Sequence, residues 1–146
     1  MISSLERPVH DAIVSVHAFL EAWFNGRLPK TSTAFEPLEK AWGSHLELIT
    51  IAGRVVDAAA VLDEVFAAHG AYSDLRIEVS NIAVRHLPAS GLALATFEER
   101  HAFGDGGNRR IVSAVLQAPP DARLPWRWLH VHETPLPSAA VDAAPR

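Results

Sequence analysis

The sequence predicts an α+β fold in which a cone-shaped, strongly curved antiparallel sheet packs on N-terminal helices and one long helix, enclosing a pocket. Three observations support this prediction. Apolar residues recur at helical spacing in the first half of the chain, the period changes to two after residue 74, and four long strand-like segments follow. A sheet of this size curves around the helices that cover one of its faces, which leaves a cavity at the wide end.

Length and composition fit one domain. The 146 residues suffice to bury a core, and a net charge of -4 without any lysine or arginine run predicts no nucleic-acid partner. The absence of cysteine excludes a disulfide scaffold, a thiolate metal site and a cysteine nucleophile. No apolar stretch approaches the roughly 18 residues that span a bilayer, and the N-terminus lacks a signal-peptide pattern. We therefore expect a cytoplasmic protein of bacterial type with no membrane partner.

Three helices are predicted. The first has Pro8 in its first turn and ends at Asn25-Gly26, and its apolar side carries Val9, Ile13, Val16, Leu20 and Phe24. A short second helix covers residues 35–42. The third and clearest helix runs from an N-cap at Asp57 to a stop at Gly70. Between the second and third helices, residues 45–51 and 53–56 predict a first strand and a short second strand.

Four long strands are predicted at 75–87, 91–103, 109–118 and 126–134, and together they form an antiparallel meander. A change of alternation near Ser80-Asn81 indicates a β-bulge in the first of them. The segment GDGGN predicts a hairpin between the second and the third. The domain is expected to cover residues 1–136. Residues 137–146, rich in alanine and proline, predict a flexible tail whose removal leaves the melting temperature nearly unchanged.

This order of elements, together with EAW in the first helix and WLHVHET at the end, resembles the nuclear transport factor 2-like superfamily, and within it the SnoaL-like branch. The resemblance covers roughly residues 8–136. It implies a pocket, in a superfamily that contains isomerases, dehydratases, cyclases and non-catalytic assembly domains. Ketosteroid isomerase and scytalone dehydratase rely on tyrosine and aspartate residues, whereas the single tyrosine here, Tyr72, follows the long helix. Any catalysis would therefore depend on histidine, glutamate or arginine.

The segment WRWLHVHET contains the first group of candidate site residues. On an extended strand Trp128, His130 and His132 share one face. Three interpretations stay open: lining of the pocket, a structural or dimer-interface role, and a metal site. The metal site is the least favoured, because no spacing identifies a third ligand. We expect this face to point into the cone, and we expect neither a metal nor another cofactor.

The second group lies on two neighbouring strands. Glu99 shares a face with Phe97 and His101, and Arg110 lies on the next strand. A cross-strand ion pair is the plainer interpretation. The alternative is that both side chains enter the cone, with Glu99 as a base whose pKa is raised by burial and Arg110 as a group that binds a carboxylate or an enolate oxygen.

We therefore expect a small-molecule-binding protein with an activity of the lyase, isomerase or cyclase type. The alternative is a non-catalytic homodimeric binding or assembly module. Pairing would use the open face of the sheet. His10 and His17, on the first helix, are expected to be solvated. If the pocket interpretation holds, His130→Ala weakens ligand binding, whereas Val131→Ala, on the opposite face, affects stability alone. The pocket candidates are His130, His132, Trp128, Glu99, Arg110 and, in the first helix, Trp23.

Overall fold

The computed structural model describes residues 2–87 and 89–137. The helices are α1 (Arg7–Phe24), α2 (Ser32–Trp42) and α3 (Ala58–Ala67). The strands are β1 (Glu47–Ile49), β2 (Val55–Asp57), β3 (Arg76–Leu87), β4 (Leu92–Phe103), β5 (Gly106–Gln117) and β6 (Arg127–Leu136). The predicted order of elements is confirmed. The tail predicted for residues 137–146 lies, apart from Pro137, outside the described residues.

The six strands form one curved, unclosed sheet in the order β2-β1-β6-β5-β4-β3. Strands β3 to β6 pair antiparallel as the predicted meander, and β1 adds to β6 in parallel. The hydrophobic core fills the space between the inner face of this sheet and the helices. No helix in the described part of the chain combines the length and apolar character needed to cross a membrane.

Capping side chains determine where two of the helices begin. The Asp57 carboxylate accepts a hydrogen bond from the backbone N–H of Ala60 at 2.9 Å, which confirms the predicted N-cap of α3. The Thr31 hydroxyl accepts from the N–H of Ala34 at 3.1 Å, so α2 begins three residues before the predicted start. Pro37 consequently lies inside α2 and not in its first turn.

Two β-bulges reset which side chains face the core. In β3 the register shifts between Ser80 and Ala83, where Asn81 takes a φ of 54°, and this confirms the predicted bulge. A second bulge interrupts β6: His130 pairs with Val115, but Trp128 pairs with the adjacent Leu116, so Leu129 is an extra residue. This second bulge was not predicted, and it changes the composition of the inner face.

The predicted hairpin between β4 and β5 is confirmed, with a turn at Gly104-Asp105. Beyond the turn, Gly107 takes a φ of 156°, and a Cβ atom there would overlap the carbonyl oxygen of His101 on the paired strand. The absence of a side chain at Gly107 therefore allows β5 to approach β4 closely where His101 projects from the sheet.

Gly107→Ala should lower the free energy of unfolding by about 2–3 kcal/mol, because the strained φ and the backbone overlap cannot both be relieved. Urea denaturation measures the change. Gly106→Ala is the matched control: its nearest atom, the Phe103 carbonyl oxygen, lies 3.7 Å from the added Cβ. The control should change stability by less than about 0.5 kcal/mol. Equal losses in the two variants would contradict the close-approach explanation.

Candidate functional site

A cavity of about 160 Å³ lies between the inner face of the sheet and the helices. Apolar side chains from α1, α2, α3 and from β1, β4, β5 and β6 form most of its wall. Five polar side chains interrupt this apolar lining and contact one another, which gives the cavity a polar side. They are His17, Glu99, His101, Arg110 and Glu133.

The central polar contact joins α1 to β4. His17 donates from Nε2 to Glu99 Oε1 at 2.6 Å and from Nδ1 to the Ile13 carbonyl oxygen at 2.7 Å. Both partners are acceptors when the carboxyl group is ionised, so the imidazole of His17 carries both of its protons. His17 and Glu99 are each only 6% exposed, and they form a buried ion pair.

Each charge of this pair stabilises the other, which changes both pKa values. Burial by itself would lower the pKa of His17, but the Glu99 carboxylate outweighs burial and raises this pKa above 6.5. Burial likewise tends to raise the pKa of Glu99, yet His17 and His101 together hold it far below 4.5. The expectation that burial raises the pKa of Glu99 is therefore wrong, because two imidazole groups bind the carboxylate.

His101 is the third member of this chain of hydrogen bonds. Its Nε2 donates to the second carboxylate oxygen of Glu99, so Nε2 is the nitrogen that carries a proton in this contact. Its Nδ1 has no hydrogen-bond partner among the described residues, and the side chain lies on the cavity wall. A carboxylate that orients an imidazole in this way leaves the other nitrogen able to accept a proton.

Arg110 links Glu99 to the second carboxylate of the cavity. It pairs with Glu99 across the β4–β5 ladder, with Arg110 Nε 3.9 Å from Glu99 Oε2. Its Nη1 donates to Glu133 Oε2 at 3.0 Å, and its Nη2 donates to the side-chain oxygen of Asn108. Burial and the neighbouring Glu99 raise the pKa of Glu133, although Arg110 acts in the opposite direction.

The structure brings three of the six pocket candidates together. Glu99, Arg110 and Trp128 line the cavity. Trp23 does not: it is fully buried, packs among aromatic rings of the core, and donates from Nε1 to the Val65 carbonyl oxygen at 2.8 Å. Its contacts are those of a core residue.

His130 and His132 do not line the cavity either, and the prediction that they share a face with Trp128 is wrong. The bulge at Leu129 places Trp128 and Val131 on the inner face and turns both histidines to the outer face. His130 Nδ1 lies 3.1 Å from Glu47 Oε1, and the side chain of His132 is exposed. The expected contrast between His130→Ala and Val131→Ala is therefore reversed, because Val131 is the residue on the cavity wall.

Sequence reasoning missed His17, Glu133 and Trp42 as residues of the cavity. His17 was expected to be solvated, although it lies four residues after Ile13 and three before Leu20, on the apolar side of the first helix. That spacing was the available signal. Glu133 was missed because simple alternation along the strand, without the bulge, places it on the face opposite Trp128. No local pattern indicated Trp42. Within the described residues, no group of three or more acidic or histidine side chains has the geometry to hold a metal ion.

The fold is similar to that of solved NTF2-like proteins. An NTF2-like protein of unknown function from Pseudomonas aeruginosa has a TM-score of 0.75 at 22% identity, covering 92% of this chain and 100% of that one. A candidate dehydratase of the NTF2-like family from Streptomyces avermitilis has a TM-score of 0.69 at 16% identity, covering 90% and 96%. The CaMKII hub of S. rosetta has a TM-score of 0.67 at 14% identity, covering 89% and 95%.

These similarities show that the chain has the NTF2-like fold, so the fold implied by the sequence resemblance is confirmed. No protein-family model and no curated protein sequence matches the chain.

The His17–Glu99 pair should make stability depend on pH. The raised pKa of His17 means that the contribution of His17 is complete below about pH 6.5 and is lost as the pH rises through the folded-state pKa. Over that window the free energy of unfolding should fall by about 1.4 kcal/mol per pH unit from this group. Urea denaturation across the window measures the slope.

Glu99→Gln is the matched variant, because it keeps the size of the side chain and removes the charge that raises the pKa of His17. The decline of stability above pH 6.5 should be shallower in the variant, and the difference between the two slopes isolates the pair from the other histidines. Identical slopes in wild type and variant would contradict the assigned ion pair.

Proposed function

We propose that the protein binds a small molecule in this cavity and transfers a proton on it, in a reaction of the lyase or isomerase type. The observation that carries the proposal is the hydrogen-bonded chain from His17 through Glu99 to His101. A charged pair is buried beside an apolar cavity, and it orients an imidazole whose Nδ1 has no partner among the described residues. That arrangement is suited to a general base.

His101 Nδ1 removes a proton from a carbon next to a carbonyl group of the ligand. The electron pair of that C–H bond moves to the carbonyl oxygen, which becomes an enolate. Glu99 balances the positive charge that His101 gains, and His17 keeps Glu99 ionised. In an isomerisation the protonated His101 returns the proton to another carbon. In a dehydration the enolate re-forms the carbonyl group, its electron pair forms a carbon–carbon double bond, and the C–O bond to a neighbouring hydroxyl group breaks. That hydroxyl group takes the proton from His101 and leaves as water.

The comparisons support a reaction of this kind without identifying it. One protein of similar fold is a candidate dehydratase of the NTF2-like family. Assignment to the SnoaL-like branch and a cytoplasmic location remain part of the proposal and rest on the sequence alone.

Proton transfer can be tested by deuterium exchange at carbon. The protein is incubated in D2O with cyclohexanone and other one-ring ketones, and NMR follows the exchange of the protons beside the carbonyl. Wild type should accelerate the exchange, and His101→Gln should lower the accelerated rate by a factor on the order of 10²–10⁴. Glutamine is nearly as large as histidine, but it has no basic nitrogen.

His132→Gln serves as the control, because His132 lies exposed on the outer face and away from the cavity. Its exchange rate should equal that of wild type. Exchange that His101→Gln leaves unchanged, or no acceleration by wild type with any ketone of the panel, would count against the proposed reaction.

A second candidate function is a homodimeric binding or assembly module, with pairing through the outer face of the sheet. The specific observation is that apolar side chains lie on that face: Leu94 pairs with Val115 across β4 and β5, and Ile111, beyond the Thr96–Ser113 pair, is 42% exposed. The CaMKII hub has a similar fold. Apolar side chains on an open sheet face offer a surface that a second chain can cover.

Light scattering tests the dimer. Wild type should have the mass of two chains at micromolar concentration, and Ile111→Asp should shift it toward one chain by burying a charge in the interface. Tyr72→Asp, at another exposed position in the turn after α3, is the control and should leave the mass unchanged. A wild-type protein of single-chain mass would contradict pairing.

A further inference from the structure

Three buried hydrogen-bond donors belong to residues that line the cavity and have no hydrogen-bond acceptor among the described residues. They are the indole Nε1 atoms of Trp42 and Trp128 and the guanidinium Nε of Arg110, which lies 3.9 Å from Glu99 Oε2, too far for a hydrogen bond. The three residues are 7%, 2% and 8% exposed. By contrast, Trp23, which lies outside the cavity, donates to the carbonyl oxygen of Val65.

Unpaired buried donors are rare in folded proteins, because a donor that loses its water without gaining an acceptor destabilises the fold. An indole N–H and a guanidinium N–H are donors only and have no lone pair to offer. Three of them around one space share one simple explanation. Acceptor atoms of a bound molecule would satisfy all three.

Two of these donors flank the proton-transfer chain. The ring of Trp128 lies 6.2 Å, centroid to centroid, from that of His17. Arg110 Nε lies 3.9 Å from Glu99 Oε2. Trp42, the last residue of α2, adds the third donor from the helical side of the cavity. Donors therefore come from both the sheet and a helix, which suits a molecule with acceptors at more than one point.

The volume limits the size of the molecule. An apolar cavity of about 150 Å³ accommodates benzene, and the cavity here measures about 160 Å³. The rest of the wall is mostly apolar, so it fits a hydrocarbon framework of one ring.

We infer that the ligand is a one-ring dicarbonyl compound, with at least two acceptor oxygens. The oxygens accept from the indole N–H groups of Trp42 and Trp128 and from Arg110 Nε. The ring fills the apolar part. Binding depends on the unpaired donors, and only the use of the bound carbonyl as a proton-transfer substrate rests on the proposed function.

The selectivity follows from the donors. A hydrocarbon of the same size leaves all three unpaired, and a monoketone satisfies fewer of them than a diketone. Affinity should therefore decrease from cyclohexane-1,4-dione to cyclohexanone, and should be lowest for methylcyclohexane.

Binding of these three probes is measured on the full chain by NMR, with nitrogen-15 in the tryptophan side chains. Cyclohexane-1,4-dione should shift the indole N–H signals of Trp42 and Trp128, and it should leave that of Trp23 unchanged because Trp23 already has an acceptor. Methylcyclohexane should move none of the N–H signals in the direction typical of hydrogen-bond formation.

Trp128→Phe and Trp42→Phe remove one donor each and keep an aromatic ring. Each should weaken dione binding by about three- to tenfold, the usual value of one hydrogen bond. Methylcyclohexane affinity in the same variants corrects for the change in packing. Trp126→Phe, outside the cavity, is the matched control and should bind the dione as wild type does. Thermal melts of each variant confirm that it is folded.

Dione binding no tighter than that of methylcyclohexane, or dione affinity that neither tryptophan variant reduces, would overturn the inference. The second result would mean that water, and not a ligand, satisfies these donors. Donor-dependent dione binding without deuterium exchange would support the inference and refute the proposed reaction. Deuterium exchange together with dione binding that neither tryptophan variant weakens would support the proposed reaction and refute the inference. The two failures therefore give different results.

Discussion

The buried ion pair between His17 and Glu99 is the interaction on which the site depends. Two charges removed from water are stable only while they pair with each other and their remaining polar atoms have hydrogen-bond partners. Here the Ile13 carbonyl oxygen accepts from His17, and His101 donates to Glu99. The pair joins α1 to β4, across 82 residues of sequence. It therefore holds the helix on the sheet and keeps Glu99 ionised. An ionised Glu99 in turn determines which nitrogen of His101 carries the proton.

Strand register is the second constraint, because it decides which polar side chains reach this pair. Glu99 and Arg110 face each other in the β4–β5 ladder, and Gly107 lets the two strands approach closely beside His101. On β6 the extra residue, Leu129, shifts the alternation by one, so that Glu133 turns inward to Arg110. A strand without the bulge would present His130 and His132 to the cavity instead, and the site would have a different charge and different chemistry.

This dependence on register explains what the sequence could and could not predict. Periodicity was enough for the order of helices and strands, and alternation within one strand placed Glu99 and His101 on the same face. The bulge in β3 changes the phase of an apolar pattern, which is visible in the sequence. The bulge at Leu129 carries no glycine or other local mark, so simple alternation failed there. The lowered pKa of Glu99 depends on a helix 82 residues away, and no local pattern contains that information.

The polar groups of the cavity divide into two sets with different consequences. Those in the chain from His17 to His101 and in the contact of Arg110 with Glu133 satisfy one another, so they hold the shape of the site without a ligand. The indole nitrogens of Trp42 and Trp128 have no such partner among the described residues, so an acceptor atom of a ligand would satisfy them. A group that destabilises the empty state and is satisfied by a ligand contributes to affinity and selectivity. Mutually satisfied groups can position a base, whereas unpaired donors can distinguish one ring-sized molecule from another by its acceptor atoms.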